Sequence, residues 1–328
     1  MARIRVAMIA ASESSFVRMD RQILEEAFVV RFVPWNGKRS IPRLVWAILR
    51  SEVTFAWFAL DHAYGASRLA RLFGRKSIVV VGGVDAAKVP ELRYGAHIEP
   101  AAAVRSRYAL EHSDRVLIVA DSLREDIARN AGVRRAEIIT VGLGFDTEFF
   151  APDARDRDTV LTVGIVSDVN IRRKGLDTFV GAAKRLPDVR FVLVGAGPGP
   201  AQDRLRAAAP SNVEFLPFLD TADLREQYRR ARVYVQASLY EGSPSALGEA
   251  MACGCVPVGT RIGGIPDLVG DTGFYVPAGD PDATASAIRE AYDSNLGGRA
   301  RQRIEQQFSK ARRRKALIEI VESLARQR

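Results

Sequence analysis

Short apolar runs alternate with amphipathic segments along the first part of the chain. We predict buried strands at 4–10, 29–33, 53–58, 77–81, 115–119 and 138–141. The segments between them have helical periodicity at 16–27, 42–50, 64–73 and 122–131. Strands that alternate with helices favour a parallel, doubly wound sheet. A ligand of such a sheet is expected beyond the carboxyl ends of its strands.

The alternation returns after a polar segment that contains two glycines and ends at Pro152. We predict strands at 159–164, 190–194, 213–216, 233–237, 256–259 and 273–276, and helices at 176–186, 222–230 and from 283 onwards. The segment 165–175 is predicted to be a loop. A chain of 328 residues suggests two domains of ordinary size.

Residues that can cap helices mark several predicted helix starts. Ser122 with Glu125 three residues later is typical of a capping box. Asp220 is the predicted cap of the helix that follows it, and Ser243 and Ser245 are candidate caps of a short helix further on.

Composition narrows the class of protein. At 47% hydrophobic residues the chain can bury two cores, and no apolar run reaches the length of a membrane-spanning helix. The first residues read as a strand rather than a signal peptide. Cys253 and Cys255 are too close together to staple a fold, so we expect a reduced, cytoplasmic protein. With only two cysteines, a structural zinc site is not expected.

The net charge of +9 is unevenly spread. Residues 299–328 hold ten Lys or Arg against three acidic residues. In the first half, basic residues border Trp35, Trp46 and Phe73. These residues are Arg39, Arg43, Arg50, Arg68, Arg71, Arg75 and Lys76. Such surfaces are typical of proteins that dock on an anionic membrane, which here would be the inner face of the cell membrane. They are equally typical of amphipathic helices that cover a sheet. A nucleic-acid-binding protein would use the basic C-terminal residues 299–328. No series of aromatic residues that could stack on bases accompanies them, so no nucleic-acid partner is expected.

The most informative stretch runs from Leu239 to Gly264. It predicts a strand end, a tight loop that contains Glu241, a short helix that contains Glu249, a strand and a glycine loop. Gly242 and Pro244 shape the tight turn. A helix start beyond the carboxyl end of a strand offers free backbone N–H groups to a phosphate. Two carboxylates beside it can accept hydrogen bonds from sugar hydroxyls.

These residues resemble a known family. Glu241 and Glu249 are separated by seven residues and are followed by Ala-Met-Ala-Cys-Gly, Pro-Val and Gly263-Gly264. This run is similar to the donor site of the retaining glycosyltransferases of family 4, also called glycosyl transferases group 1. The resemblance is dense from about 159 to about 282. It implies the α/β GT-B fold, with two Rossmann-like doubly wound domains facing a central cleft. Residues 1–150 would bind the acceptor and residues 151–309 the nucleotide sugar, with a helix at about 310–328 packing back on the first domain.

The resemblance also implies a reaction. A sugar would pass, with retention, from a nucleoside-diphosphate sugar to a hydroxyl of a glycan, a lipid-linked or a small-molecule acceptor, without a metal or cofactor. Glu241 would face the donor sugar and Glu249 the ribose. Lys174 and Arg173, or else Arg172, would hold the diphosphate. The remaining expected donor-site residues are Gly164, Gly242, Ser243, Pro244, Ser245, Ala246 and Leu247.

The acceptor half departs from the family pattern. The loop after the first strand is ASESS without glycine, and Gly82-Gly83 stands where a His is common. Asp85 is the candidate for contacting an acceptor hydroxyl, with helix capping as its alternative. His62 and His97 are expected to be polar surface residues.

Two other enzyme classes are compatible with parts of the pattern. The Gly195-Ala-Gly197 turn lacks the third glycine of a dinucleotide fingerprint, which argues against a nicotinamide enzyme. A sugar-nucleotide epimerase of the same shape stays open. The sequence does not identify the sugar, the base or the acceptor.

Overall fold

The computed structural model describes residues 3–154 and 156–327 and divides into two compact units. The first unit is Met1–Gly144 together with Lys310–Arg328, and the second is Phe145–Ser309. The two sections of chain that form the first unit are therefore joined through the whole of the second.

Each unit is built on a six-stranded parallel sheet. The strands are β1 Arg5–Ala10, β2 Val29–Pro34, β3 Val53–Trp57, β4 Lys76–Val81, β5 Arg115–Ile118, β6 Ile138–Thr140, β7 Thr159–Val163, β8 Arg190–Ala196, β9 Val213–Pro217, β10 Ala231–Gln236, β11 Val256–Thr260 and β12 Phe274–Val276. Their order is β2-β1-β3-β4-β5-β6 in the first unit and β12-β11-β10-β7-β8-β9 in the second. The predicted parallel, doubly wound fold class is confirmed.

Helices connect the strands and cover the sheets. They are α1 Ser15–Ala27, α2 Ile41–Leu49, α3 Asp61–Leu72, α4 Pro100–His112, α5 Ser122–Asp126, α6 Asp168–Arg173, α7 Leu176–Arg185, α8 Pro200–Ala208, α9 Thr221–Arg230, α10 Ser245–Ala252, α11 Ile265–Val269, α12 Pro281–Asp293, α13 Gly297–Gln307 and α14 Lys310–Arg326. Among the described residues, no helix combines the length and the apolar character needed to cross a membrane.

The cores follow from the apolar runs of the sequence. In the first unit Ile9, Leu44 and Ile48 are buried in one cluster between sheet and helices. Trp35 and Phe73 pack against this cluster, so neither belongs to an exposed basic-aromatic patch as the sequence suggested. Burial of such large rings stabilises the sheet face that they cover.

Two local predictions about helix starts were wrong. Ser122 is the first residue of α5 rather than its cap, and the cap, Asp121, makes no side-chain capping hydrogen bond. Helix α10 is preceded by Pro244, so neither Ser243 nor Ser245 is its cap. Asp220 does cap α9, because its carboxylate accepts from the backbone N–H groups of the next turn.

The predicted loop 165–175 contains a helix. Ser167 accepts a hydrogen bond from the N–H of Asn170 and starts α6, which ends at Arg173. The polar composition of the segment concealed this helix because its few apolar residues show no clear period. Arg173 is the last residue of this helix, and Lys174 follows it directly.

The last helix, α14, is held to the first unit by a buried ion pair. Arg313 on α14 is 3% exposed and Asp20 on α1 is fully buried. The Arg313 guanidinium donates from Nε and Nη2 to the two oxygens of Asp20, at 2.5 and 2.7 Å. It also donates to the carbonyl oxygens of Val141 and Gly142, at 2.9 and 2.8 Å. The buried guanidinium is thus matched by acceptors on two sides.

Candidate functional site

The carboxyl end of β10 in the second unit holds a buried cluster around Glu241. Lys174 Nζ donates to Glu241 Oε1 at 3.1 Å, and Arg173 Nη1 lies 3.3 Å from the same oxygen. Ser238 Oγ donates to it at 3.3 Å and Gln236 Nε2 at 3.4 Å. The three residues predicted from the sequence, Glu241, Lys174 and Arg173, therefore lie together in one place.

Helix α6 positions the two cations. Arg173 is buried, and its Nε and Nη2 donate to Asn170 Oδ1 at 3.2 and 3.1 Å while its Nη1 donates to the carbonyl oxygen of Tyr240 at 3.1 Å. The backbone N–H of Leu239 donates to the carbonyl of Arg173 at 2.7 Å. These bonds tie the helix to the loop that carries Glu241, so the guanidinium is fixed before any ligand arrives.

Glycines allow the segments around Glu241 to approach closely. Gly263 has φ of +56°, and a Cβ there would lie 1.8 Å from the carbonyl oxygen of Glu241. A Cβ at Gly164 would lie 2.7 Å from Cδ of Lys174. Gly164 therefore lets the Lys174 side chain pass over the end of β7 toward Glu241.

Glu241 is held as a carboxylate. Burial alone would raise its pKa, but the charges of Lys174 and Arg173 and the hydrogen bonds from both outweigh burial and lower the pKa. The side chains of Glu241, Lys174 and Arg173 are 10%, 19% and 9% exposed, so Lys174 is the most accessible of the three. An anionic ligand would meet this lysine first.

Helix α10 begins directly after this cluster. The turn before it is fixed by the N–H of Gly264, which donates to the carbonyl of Gly242 at 2.7 Å. Ser243, Ser245 and Ala246 are half-buried at the helix start, whereas Leu247 is buried. The first-turn N–H groups of a helix have no acceptor within the helix. The start of α10 can therefore donate to an anion.

Glu249 lies within α10 and has a different environment from Glu241. It is buried, and the hydroxyl of Tyr228 donates to its Oε2 at 2.9 Å. Burial raises the pKa of Glu249 to about 7, against the hydrogen bond from Tyr228, which lowers it. No cation among its described contacts compensates its charge. Of the two glutamates of the motif, Glu241 is thus a carboxylate paired with cations, whereas Glu249 gains or loses its proton near neutral pH.

We expect Glu249→Gln to stabilise the protein at alkaline pH. The folded-state pKa is about 7 and the unfolded value is near 4.3, so the wild type loses stability as pH rises between these values. The glutamine cannot ionise, so its advantage should be on the order of 3–4 kcal/mol above pH 8 and disappear below about pH 4. Melting temperatures at pH 5, 7 and 8.5 measure it. An advantage that does not grow with pH would contradict the assigned environment.

The first unit does not offer Asp85 to a ligand. Asp85 is fully buried, and its oxygens accept from the backbone N–H groups of Ala59, Gly82 and Gly83 at 2.7–3.1 Å. Burial raises its pKa to about 6, against these donors. Asp85 holds together the loops after β3 and β4 and neither caps a helix nor is exposed to an acceptor hydroxyl.

His62 and His97 were expected on the surface and are buried instead. His62 is 1% exposed with Nε2 2.5 Å from the carbonyl oxygen of Trp57. His97 is 5% exposed with Nε2 3.1 Å from the carbonyl oxygen of Asp85. Burial lowers the pKa of both. Within residues 3–154 and 156–327, no three His, Cys, Asp or Glu side chains are grouped as metal ligands would be.

Sequence reasoning missed the polar residues that complete the site. Gln236 and Ser238 stand two positions apart at the end of β10, and strand alternation places both on one side of the sheet with the Glu241 loop. Tyr228 lies on α9, and its contact with Glu249 had no signal in the sequence.

Comparison with known proteins finds similarity in the part of the chain that contains Lys174, Glu241 and Glu249. The family model described as glycosyl transferases group 1 matches residues 157–294. A phosphatidylinositol N-acetylglucosaminyltransferase subunit of Arabidopsis thaliana is 27% identical over 56% of this chain and 43% of its own length. A D-inositol 3-phosphate glycosyltransferase of a Mycobacterium species is 32% identical over 58% of this chain and 47% of its own length. The chain thus spans about half the length of these relatives.

Solved structures share the whole fold at low identity. Sucrose-phosphate synthase from Thermosynechococcus elongatus has a TM-score of 0.82 at 18% identity, over 98% of this chain and 99% of its own. HepE from Anabaena in complex with UDP has a TM-score of 0.80 at 15% identity, over 98% and 100%. Residues 157–294 are thus similar to the glycosyl transferases group 1 family, and the two parallel sheets are those of the GT-B fold.

Proposed function

We propose that this chain is a retaining, metal-independent glycosyltransferase. It moves a sugar from a nucleoside-diphosphate sugar to an acceptor hydroxyl. The observation that carries the proposal is the convergence of Lys174 and Arg173 on Glu241, directly before the start of α10 and inside the segment that matches the family.

The cations suit a leaving diphosphate. When the bond between the sugar and the diphosphate breaks, negative charge grows on the phosphate oxygens. Arg173 is already fixed by Asn170 and the Tyr240 carbonyl, so it stabilises that charge without reorganisation. Lys174 is more exposed and can turn from Glu241 to the phosphate. Two cations and a helix start supply the positive charge that a divalent metal supplies in other transferases, which supports metal independence.

Glu241 is proposed to orient the donor sugar rather than to attack it. Four donors crowd its Oε1, and a carboxylate stabilised in this way is a poor nucleophile. The acceptor oxygen then attacks C1 from the face of the leaving diphosphate. The C1–O bond breaks as the new C1–O bond forms, and a phosphate oxygen takes the acceptor proton. Attack from that face gives retention.

Glu249 is proposed to read the ribose. A sugar with two neighbouring hydroxyls donates to both oxygens of a carboxylate and favours its charged form. Because the pKa of Glu249 is about 7 without a ligand, donor binding should be stronger above pH 7 than below pH 6. Neither a cofactor nor a prosthetic group is needed for these steps, and we propose none.

We propose a cytoplasmic location. Cys253 and Cys255 are both free and buried, and burial raises the pKa of each thiol, to about 12 for Cys253. Unpaired buried thiols are common in reducing compartments. The acceptor is proposed to be a hydroxyl of a glycan, a lipid-linked or a small molecule. The names of two relatives include phosphatidylinositol and D-inositol 3-phosphate, which makes inositol compounds the first acceptors to assay.

Donor binding should raise the melting temperature with one nucleotide class. We expect one of UDP, GDP and ADP, or the corresponding nucleotide sugar, to stabilise the folded protein. The nucleotide binds the folded state and not the unfolded state, so its binding raises the free energy of unfolding. UDP is the first to test because HepE was solved with UDP. The shift should persist in EDTA.

Each negative outcome of this screen contradicts a different part of the proposal. No shift with any nucleotide would overturn the donor-site assignment. A shift abolished by EDTA would remove metal independence and leave the transferase proposal standing. Interconversion of the nucleotide sugar without a glycoside product would favour an epimerase, and an inverted anomeric carbon in the product would exclude retention.

A further inference from the structure

We propose that one outer face of the first unit docks on an anionic membrane. This α2 face consists of the exposed apolar side chains Ile41, Trp46, Leu49 and Leu72 and the basic side chains Arg31 and Arg50 beside them. The proposal is independent of the donor site, so either can fail without the other.

Helix α2 is apolar on both sides. Leu44, Ala47 and Ile48 are buried in the core of the first unit, as expected for a helix that covers a sheet. The opposite side carries Trp46, which is 51% exposed, and Leu49, which is 45% exposed. Arg43 is the one charged residue of the nine. An apolar outer side on a surface helix indicates a surface that is covered in use.

Basic side chains are held around the exposed ring. The guanidinium carbons of Arg31 and Arg50 lie 5.6 and 5.3 Å from the centroid of Trp46. Arg31 donates to the carbonyl oxygen of Arg50 at 3.2 Å, and Arg75 donates to that of Leu49 at 3.0 Å. The contacts join the end of α2 to the end of α3, where Leu72 is 74% exposed. Apolar rings with a basic rim are typical of helices that lie in a membrane interface.

The chain segment around this face carries an excess of positive charge. Residues 37–76 contain eight Lys or Arg and two acidic residues. Within the described chain none of the six arginines of that segment pairs with a carboxylate. Exposed arginines of the second unit do pair, for example Arg289 with Asp188 and Arg299 with Asp271. The unpaired charge favours an anionic lipid surface. It disfavours a second copy of this chain, which would bring the same charge to the contact.

The apolar part of the proposal is tested with vesicles. Phosphatidylcholine vesicles with and without one quarter phosphatidylglycerol are sedimented with the full chain. We expect at least about tenfold stronger partitioning to the anionic vesicles. Trp46→Ala with Leu72→Ala should lower that partitioning about tenfold. The matched control is Phe218→Ala, which removes an equally exposed ring, 79% exposed, from the second unit and should change nothing.

The charged part uses two variants of equal net charge. Arg31→Glu with Arg50→Glu should abolish binding to anionic vesicles, whereas Lys184→Glu with Arg230→Glu, two exposed residues of the second unit, should retain most of it. Raising the salt concentration should weaken wild-type binding. Equal losses in both variants, or equal binding to neutral vesicles, would overturn the α2 face. So would a wild-type dimer that Trp46→Ala dissociates, because a second copy would then be the occupant.

Discussion

Replacing Lys174 with Ala should lower turnover about a hundredfold or more, because the proposed diphosphate site loses one of its two cations. Lys174 is the more exposed cation of the pair, and we propose that its Nζ turns from Glu241 to a phosphate. The loss should fall on kcat more than on KM, since the charge that Lys174 meets develops in the transition state. Steady-state kinetics with the donor found by thermal shift measure it.

Glu241→Gln should cost a similar factor for a different reason. The amide keeps the shape of the side chain but leaves the charges of Lys174 and Arg173 without their buried counterion. It also weakens the acceptor that would orient the donor sugar. Because Lys174 and Glu241 share one contact, the double variant should lose less activity than the product of the two single losses.

The matched control for both variants is Arg172→Ala. Arg172 is exposed on α6, directly before Arg173, and was the alternative candidate for the diphosphate. Its removal should change turnover less than about threefold, as expected for a solvated charge. Wild-type turnover in Lys174→Ala, or a hundredfold loss in Arg172→Ala, would remove the assignment of Lys174. Melting temperatures of all variants separate a catalytic loss from unfolding.

Local patterns in the sequence were sufficient for the sheets. Strand and helix periodicity placed each strand within a few residues of its observed bounds because buried parallel strands read as continuous apolar runs. The cap at Asp220 was found because its hydrogen bonds are local. These features depend on neighbours a few residues away, and the sequence contains that information.

The contacts of the site depend on residues far apart in the chain. Lys174 and Glu241 are 67 residues apart, and only resemblance to a family joined them. The burial of Arg173 was not foreseen because a basic, polar segment is usually solvated. Its acceptors, Asn170 and the Tyr240 carbonyl, become visible only in the fold. The histidines were misplaced for the same reason, since backbone carbonyls accept from their rings inside the protein.

Arg313 makes a contact with a much larger sequence separation. It was counted among the basic residues of the C-terminal tail, yet it forms a buried ion pair with Asp20, 293 residues earlier. No pattern along the chain distinguishes Arg313 from Arg312 or Arg314. Only the buried carboxylate on α1, and the two carbonyls at the end of the first sheet, make this one arginine structural.

We therefore expect Arg313→Met to destabilise the first unit by about 3–5 kcal/mol. Methionine fills much of the volume, so the loss comes mainly from leaving the Asp20 carboxylate buried without a counterion. The matched control is Arg314→Ala on the same helix. Its side chain is 47% exposed and pairs with an exposed Glu26, so it should cost less than about 1 kcal/mol.

The three tryptophans make the measurement specific to the first unit, since Trp35, Trp46 and Trp57 all lie there. Trp57 is also part of the cluster, because its Nε1 donates to Asp20 Oδ2 at 2.9 Å and Arg313 lies over its ring. Urea unfolding followed by tryptophan fluorescence thus reports the free energy of this unit.

Adding Asp20→Asn to Arg313→Met separates charge from packing. The amide can still accept from Trp57, and it leaves no buried charge unpaired, so the double variant should recover about half of the loss or more. If the double variant is less stable than Arg313→Met alone, the carboxylate contributes through its hydrogen bonds rather than its charge. If Arg313→Met costs no more than Arg314→Ala, α14 is held to the sheet by its apolar contacts at Leu317, Val321 and Leu324.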